Sequence, residues 1–208
     1  MLTTSDLLGA LPHRPVILEA GAHHGEDTYK LATQAHHVYA FEPVPSCYVR
    51  AEQTLSDLSN VTLSSLALGG EQTTAEMYVS QGRDDASSSL MAPTEHHIHY
   101  PHISFDDNTI EVKVTTIEAW AKHHNILFID GMWLDMQGAE LSTLRSAGEI
   151  LETVQAIMLE FSLVELYEGC PLWPEVRSWL AGEGFYVSQE YVYPGDYAGE
   201  ALFSRYDR

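Results

Sequence analysis

The sequence predicts an α/β protein built on a mostly parallel β-sheet with helices on both faces. Apolar segments that end in acidic or glycine-rich turns alternate with helical patterns along most of the chain. Repeated units of this kind are typical of parallel sheets that are covered on both sides. Near the C-terminus, segments 185–193 and 200–206 flank Pro194-Gly-Asp196 and predict an antiparallel hairpin.

The individual elements follow from apolar periodicity and from start and stop residues. A leading helix is capped by Thr4 or Ser5, Pro45 precedes the third helix, and Pro171 and Gly184 bracket the last one. The predicted helices are 5–11, 26–35, 46–58, 116–123, 138–147 and 171–182. The predicted strands before the hairpin are 16–20, 37–42, 61–66, 74–80, 111–115, 132–135 and 154–161.

One long segment, 81–108, shows no clear periodicity. It is rich in Gly, Asp, Ser, Pro and His. A stretch of this length is typical of a lid, a binding loop or disorder. At 208 residues the chain is long enough for one domain with a real core. We therefore expect a single domain, 1–208, with a lid or substrate loop at about 81–108.

The turn after the first strand has the pattern of a ligand site. In Val16-Ile-Leu-Glu-Ala-Gly-Ala-His-His-Gly25 an apolar run ends at Glu19 and two glycines, and a helical pattern follows. Strand, glycine turn and helix form a ligand crevice at the carboxyl ends of parallel strands. Gly21 and Gly25 allow a close backbone approach. Glu42, at the tip of the next strand, lies 23 positions after Glu19 and suits ribose hydroxyls.

The spacing of the glycines limits which ligands can fit this turn. The turn is Gly-x-x-x-Gly and lacks the third glycine of Gly-x-Gly-x-x-Gly. A pyrophosphate needs the close approach that the extra glycine allows, so a ligand with adenosine but no pyrophosphate fits better, and S-adenosylmethionine is one. The alternative is that both glycines only permit tight strand-helix packing and that both acids are solvated strand ends.

Charge argues against some partners. Lys plus Arg number 10 against 30 Asp plus Glu, which gives a formal net charge of -20. Nucleic-acid binding depends largely on Lys and Arg neutralising phosphates, so no nucleic-acid partner is expected. Anionic membrane surfaces are disfavoured for the same reason. The acids are spread along the chain and favour solubility.

The two cysteines and the N-terminus indicate the compartment. Cys47 and Cys170 are far apart and form no Cys-x-x-Cys pair, so neither a disulfide scaffold nor a thiolate metal site is indicated. Segment 1–15 lacks the features of a signal peptide, and no apolar run approaches ~20 residues. We expect a reduced, cytoplasmic protein with no membrane partner.

Two further strand tips carry candidate catalytic acids. Asp135 precedes Gln137-Gly138, and Glu160 ends the next strand. Two facing carboxylates raise one pKa and supply a general base, for example for an acceptor hydroxyl. They could equally bind a divalent cation, but no fixed ligand spacing favours a metal. Glu140, in the first helical turn, is as consistent with a structural role as with a catalytic one.

The histidines and aromatic residues have more than one interpretation. Segment 96–102 holds four of the eleven histidines, but it has no His-Glu-x-x-His pattern and no nearby cysteine, so zinc is not favoured. One lid histidine could serve as base or substrate contact. His23, in the glycine turn, could also face the acceptor as a catalytic residue. Tyr167, Trp173, Trp179 and Tyr186 are more typical of core packing than of a substrate cage.

Several motifs resemble the FkbM family of S-adenosylmethionine-dependent methyltransferases, over about 19–185. They are Leu18-Glu-Ala-Gly-Ala-His-His-Gly25, Phe41-Glu-Pro43, Ala67-Leu-Gly69, Ser88-Ser-Leu90, Leu134-Asp-Met-Gln-Gly-Ala-Glu140 with Leu144, and Glu160 followed by Leu166-Tyr-Glu-Gly169. The resemblance implies a Rossmann-like class I methyltransferase fold with a seven-stranded sheet. Family members generally methylate hydroxyl oxygens of sugars or natural products. This chain departs from many members at Glu19, at His23-His24 and at Trp133.

The resemblance also implies roles for individual residues. Gly21 and Gly25 would approach the amino-acid end of the cofactor, and Glu19 would bind the cofactor either by holding that turn or by attracting the cofactor ammonium through water. Glu42 would accept the ribose hydroxyls, while Ser65 and Ala67 would border the adenine. Ser87–Ser89 would close over the nucleoside. Asp135 would lie beside the cofactor and orient or deprotonate the acceptor, with Glu160 as its companion.

The leading hypothesis is therefore a small-molecule O-methyltransferase that uses S-adenosylmethionine. Two alternatives remain open: an NAD-dependent oxidoreductase, which the missing third glycine opposes, and a non-catalytic nucleoside-binding or scaffold protein. The acceptor is a small molecule with a hydroxyl group. The aromatic C-terminal region suggests apolar surface and a homodimer.

Overall fold

A seven-stranded sheet organises the molecule, and the predicted fold class is confirmed. The computed structural model describes residues 1–82 and 85–206. The strand order is β11-β12-β10-β9-β1-β2-β3, and the pairs from β10 to β3 are parallel, whereas β12 is antiparallel to both β10 and β11. These strands are β1 (Val16–Ala20), β2 (His37–Phe41), β3 (Val61–Ser64), β9 (Gly131–Leu134), β10 (Ala156–Ser162), β11 (Phe185–Val192) and β12 (Ala198–Arg205).

Helices cover both faces of this sheet because its strands are apolar on both sides. Val16 and Leu18 of β1 pack in one core cluster, whereas Ile17 between them packs in the other. The first cluster includes residues of α5, α6 and α7 and of a 3-10 helix, Gly148–Thr153, and the second includes residues of α1 and α2. The helices are α1 (Thr4–Gly9), α2 (Glu26–Ala32), α3 (Pro45–Thr54), α4 (His96–His99), α5 (Ile117–His124), α6 (Glu140–Arg145) and α7 (Trp173–Gly182).

A second, three-stranded sheet has the order β4-β8-β5, with β4 (Ala67–Leu68), β5 (Thr73–Met77) and β8 (Ile110–Thr115). The strands predicted at 74–80 and 111–115 thus pair antiparallel with each other and not with the large sheet. Val44 and Cys47 at the start of α3 pack against this sheet in a third core cluster. The second sheet therefore builds a wall beside the carboxyl ends of β1 and β2.

The loop predicted at 81–108 contains short regular elements. They are β6 (Ser80–Gln81), α4 and β7 (Ser104–Phe105), and β6 pairs with β7. Backbone bridges join Tyr78 to Ser89 and Pro93 to Tyr167. Residues 83 and 84 of this loop, and 207 and 208 at the C-terminus, lie outside the described residues.

Among the described residues, no helix combines the length and the apolar character that crossing a bilayer requires.

Candidate functional site

The glycine turn packs directly against the tip of β9. The backbone N–H groups of Gly21 and Ala22 both donate to the carbonyl of Phe41, at 3.1 and 3.0 Å. Gly21 has φ +87°, and a Cβ at this position would overlap the carbonyl oxygen of Asp135. A side chain is therefore excluded here both by the backbone conformation and by the neighbouring strand.

Gly25 has a different role from Gly21. It has φ +85° and precedes the first turn of α2. A Cβ here would lie 3.2–3.3 Å from atoms of Leu55 and Ala51. Gly25 does not line the cavity described below. Its contacts are those of tight helix packing, which is the alternative that the sequence left open for both glycines.

Glu42 holds the glycine turn from the tip of β2. One carboxylate oxygen accepts the N–H of His23 and the other accepts the N–H of Val44, both at 2.8 Å. Burial raises its pKa to about 7, although the two backbone donors act in the opposite direction. Each oxygen retains a lone pair, so the carboxylate can also receive two hydroxyl donors from a ligand.

A cavity opens beside this turn. Of the predicted site residues, Gly21, His23, Glu42, Ala67 and Asp135 line it. Its remaining wall is mainly apolar and includes Phe41, Leu68, Met77, Leu90 and Met136. Ser65 is exposed and does not line this cavity, because β3 ends at Ser64 and the chain then turns to form β4.

Glu19 lies behind the turn and not in the cavity wall. It is 1 % exposed, and one carboxylate oxygen has no hydrogen-bond partner among the described residues. Burial raises its pKa to about 8, and the nearby carboxylates of Asp27, Glu42 and Asp135 add to this effect. A proton on Glu19 at neutral pH avoids an isolated buried charge.

Asp135 and Glu160 are brought together, as their positions at neighbouring strand tips predict. Nε2 of Gln137 lies between them, 2.7 Å from Oδ1 of Asp135 and 2.6 Å from Oε2 of Glu160. Burial raises both pKa values, and the charge of Asp135 contributes to raising that of Glu160 well above its usual range. Asp135 itself is exposed and lines both cavities described here.

A second cavity shares Asp135 and Ala86 with the first. Glu160 and Gln137 line it together with three tyrosines, Tyr100, Tyr167 and Tyr193, and with His96. The hydroxyl of Tyr167 lies 2.8 Å from Oε1 of Gln137 and 2.9 Å from the carbonyl oxygen of Ser87. Sequence analysis assigned Tyr167 to packing, and the tyrosine is indeed buried, but it also supports the carboxylate pair.

Glu140 stabilises the turn that follows β9. Its two oxygens accept the N–H groups of Met136 and Gly138 at 2.7 and 3.0 Å. It lines neither of the two cavities. These contacts match the structural role considered for Glu140. Met136 and Gly138 flank Gln137, so Glu140 holds the turn in which Gln137 has φ +55°.

Segment 85–105 contributes residues to the walls of both cavities. Ser88 lines the first cavity and Ser87 the second, while Oγ of Ser89 donates to the carbonyl of Gln137 at 2.8 Å. His96 is 2 % exposed and packs among Tyr100, Phe105 and Tyr167, with ring centroids 5.1–5.2 Å apart. Burial lowers its pKa to about 4, so the imidazole is neutral.

Comparisons with known proteins agree with this architecture. The chain is 30% identical over 163 residues to the 2-O-methyltransferase NoeI of Sinorhizobium fredii, an alignment covering 74% of this chain and 66% of that protein. The chain thus spans just under two thirds of the length of this relative. In shape it is similar to an rRNA methylase from Streptococcus thermophilus (TM-score 0.57, 14% identity, 98% of this chain and 94% of the other).

It is also similar in shape to magnesium protoporphyrin IX methyltransferase, ChlM, from Synechocystis PCC 6803, whose structure contains bound S-adenosylmethionine (TM-score 0.54, 14% identity, 98% of this chain and 76% of the other). At these identities the structural neighbours establish the fold alone. The sequence pattern of the methyltransferase FkbM domain, however, matches residues 19–191. Because this match spans most of the chain and all of the strand tips described above, the chain belongs to the FkbM methyltransferase family.

Proposed function

We propose that this protein transfers the methyl group of S-adenosylmethionine to a hydroxyl oxygen of a small molecule, a sugar or another natural product. The observation that carries the proposal is that two neighbouring cavities share Asp135 in their walls. The first cavity has the chemistry of a nucleoside site, and the second cavity has the chemistry of a site for a hydroxyl acceptor. The relative NoeI is named a 2-O-methyltransferase.

The first cavity fits the cofactor. Its apolar wall around Phe41 and Leu68 suits the adenine ring, and the free lone pairs of Glu42 suit the two ribose hydroxyls. Asp85 and Asp135 also line it, so the wall carries negative charge. Such a wall favours a ligand with a cationic sulfonium and disfavours the pyrophosphate of NAD. When bound, the cofactor supplies an electrophilic methyl group.

The second cavity supplies the proton chemistry. The acceptor hydroxyl must lose its proton as its oxygen forms the new bond to carbon, and Asp135 and Glu160 are the nearest bases to the junction of the cavities. Their raised pKa values bring a carboxylate closer to the range in which it accepts a proton efficiently near neutral pH. Gln137 holds both carboxylates in place. His23 lines only the cofactor cavity, so we assign it to that wall.

The acceptor cavity is suited to a polar ring. Tyr100, Tyr167 and Tyr193 offer aromatic surface, and Asp135, Gln137 and Glu160 offer hydrogen-bond acceptors. A sugar presents C–H faces and several hydroxyl donors, and both are matched here. A nucleic-acid acceptor is disfavoured by the net charge of -20.

Calorimetric titration with S-adenosylmethionine, S-adenosylhomocysteine and NAD tests the cofactor assignment. We expect the two methionine nucleosides to bind and NAD not to bind. Glu42→Ala should weaken binding by about 1–3 kcal/mol, as for a lost buried hydrogen-bonding partner. Glu52→Ala, an exposed glutamate on α3, is the matched control and should bind like wild type. Binding of NAD alone would favour an oxidoreductase, and binding without any methyl transfer to a panel of sugars would favour a non-catalytic protein.

A further inference from the structure

Four side chains from three separate segments meet at the rim of the cofactor cavity. His23 and His24 come from the glycine turn, Cys47 from the first turn of α3, and Asp85 from the loop that follows β6. One ligand atom from each lies within 4.8 Å of all the others. This group is the one cluster of three or more potential metal ligands found within residues 1–82 and 85–206.

The donor atoms of this cluster lie near one another but must rearrange to surround one ion. Nε2 of His23 is 2.8 Å from Oδ1 of Asp85, and Nε2 of His24 is 3.5 Å from Oδ2, so both nitrogens face the same carboxylate. The two imidazoles stack at 3.6 Å, so a ring must rotate before both nitrogen lone pairs can point at one ion. Zinc bonds of about 2.0–2.3 Å place tetrahedral ligands roughly 3.5 Å apart. The widest separation, at most 4.8 Å, must therefore shrink by about 1.3 Å, and the 2.8 Å separation of His23 and Asp85 must widen by about 0.7 Å.

The cluster already attracts a cation. Nη1 of Arg50 lies 3.0 Å from Nε2 of His24 and 3.7 Å from Oδ2 of Asp85. Because a guanidinium only donates hydrogen bonds, Nε2 of His24 carries a lone pair. The side chain of Arg50 is 60% exposed and can turn into solvent when another cation arrives.

The cluster also offers negative charge to a metal. A bound metal would displace the proton of the Cys47 thiol, because the thiolate is the form that binds metals. The thiolate and Asp85 would then balance the charge of a divalent ion.

We propose that His23, His24, Cys47 and Asp85 bind one divalent ion of the zinc class and that the bound ion excludes the cofactor. Two nitrogens, one sulfur and one carboxylate oxygen suit a borderline-soft ion such as Zn²⁺ and not Mg²⁺ or Ca²⁺. His23, Cys47 and Asp85 line the cofactor cavity, and the backbone of His23 is bound to Glu42. An ion between them would occupy space beside the carboxylate that we assign to the ribose. The exclusion of the cofactor, but not the metal site itself, rests on the proposed function.

Cobalt spectroscopy tests the site on tag-free, metal-free protein kept reduced. We expect one Co²⁺ per chain, with a thiolate-to-cobalt charge-transfer band that Zn²⁺ abolishes. Cys47→Ser should remove the band, and Cys47→Ser and Asp85→Asn should each weaken zinc binding by at least about 100-fold, since even outer contacts of metal sites contribute 10–100-fold. Circular dichroism and thermal melting establish that each variant is folded.

The chain offers matched controls for both ligand types. Cys170→Ser changes the other buried cysteine, and the double variant His123→Ala/His124→Ala changes an adjacent histidine pair on α5. Both should keep the charge-transfer band and the stoichiometry. Absence of the band in wild type, its survival in Cys47→Ser, or its loss in Cys170→Ser would overturn the metal site.

Titration of S-adenosylhomocysteine with and without saturating Zn²⁺ tests the exclusion. We expect at least a tenfold weaker apparent affinity with zinc, and no such effect in Cys47→Ser. Equal affinity with and without bound zinc would overturn the exclusion. Failure of S-adenosylhomocysteine to bind even the metal-free protein would instead refute the proposed function, whereas the cobalt result would still decide the metal site.

Discussion

Tyr167 fixes the orientation of Gln137. The tyrosine hydroxyl, 2.8 Å from Oε1, gives the amide oxygen a donor, so Nε2 is turned toward Asp135 and Glu160. One buried aromatic residue thereby determines how two carboxylates are held at the junction of two cavities.

Tyr167→Phe should therefore lower the rate of methyl transfer more than it lowers stability. The lost hydrogen bond contributes about 0.5–1.5 kcal/mol to the free energy of unfolding. We expect a fall in kcat of roughly tenfold, with an unchanged dissociation constant for S-adenosylhomocysteine. Steady-state kinetics and urea unfolding measure the two effects. Tyr186→Phe, an exposed tyrosine on β11, is the control. An unchanged kcat would mean that Gln137 does not need this support.

Asp135→Asn should remove the base from the junction while preserving the shape of the side chain. Loss of a general base typically lowers the rate by about 10²–10⁴-fold. We expect this loss in kcat at neutral pH, measured with an identified acceptor. Asp107→Asn, at an exposed position, should leave kcat unchanged. A loss below threefold in Asp135→Asn would shift the role of base to Glu160.

Glu19 makes the stability of the protein depend on pH. Because its pKa is about 8 in the folded state and 4.5 for the free side chain, the folded chain retains a proton that the unfolded chain has lost. The free energy of unfolding should therefore fall as pH rises from about 4.5 to 8, by on the order of 5 kcal/mol in all. About 1.5 kcal/mol of this fall should occur between pH 6.5 and 8. This window lies above the range in which His96, with its lowered pKa, becomes protonated on unfolding.

Urea unfolding at pH 6.5 and pH 8 measures this effect. Glu19→Gln should be less sensitive to pH than wild type over this range, and it should be more stable than wild type at pH 8. Glu26→Gln, which changes an exposed glutamate at the start of α2, should retain the wild-type pH dependence. Equal slopes for wild type and Glu19→Gln would show that Glu19 is ionised in the folded protein.

Gly21→Ala should disturb the cofactor turn directly. The added Cβ would overlap the carbonyl of Asp135, and alanine disfavours φ +87° by about 1 kcal/mol or more. We expect a lower melting temperature and loss of detectable S-adenosylhomocysteine binding by calorimetry. Gly182→Ala, in α7 with open space around it, should be neutral or slightly stabilising. Wild-type binding by Gly21→Ala would contradict the close approach at this turn.

The sequence predicts the position of a site residue best where that position follows from the order of the strands. Glu42 and Asp135 directly follow β2 and β9, and Glu160 lies near the carboxyl end of β10, so their common edge of the sheet could be predicted without coordinates. Ser65 and Gly25 could not be placed in this way, because the end of β3 and the packing of α2 on α3 depend on tertiary contacts.

The link from Tyr167 to Gln137 and the cluster around Cys47 escaped prediction for a related reason. Tyr167 is 30 positions from Gln137, and Asp85 is 62 positions from His23. No local periodicity encodes such pairs. They arise because the loop between β6 and β7 and the segment between β10 and α7 fold back over the strand tips, and these paths follow from tertiary packing and not from a local motif.

Two largely separate cavities share Asp135, and the residues that line them come from two different parts of the fold. The side that we assign to the nucleoside is built mainly on strand tips that the sheet itself fixes, whereas the other side draws Tyr100, Ile103, Tyr193 and Ala198 from the loop and the C-terminal hairpin. Under the proposed function, substitutions in these latter segments should reshape the proposed acceptor pocket while Asp135 keeps its place. The same framework would then accept a new substrate without a change in the proposed catalytic acids.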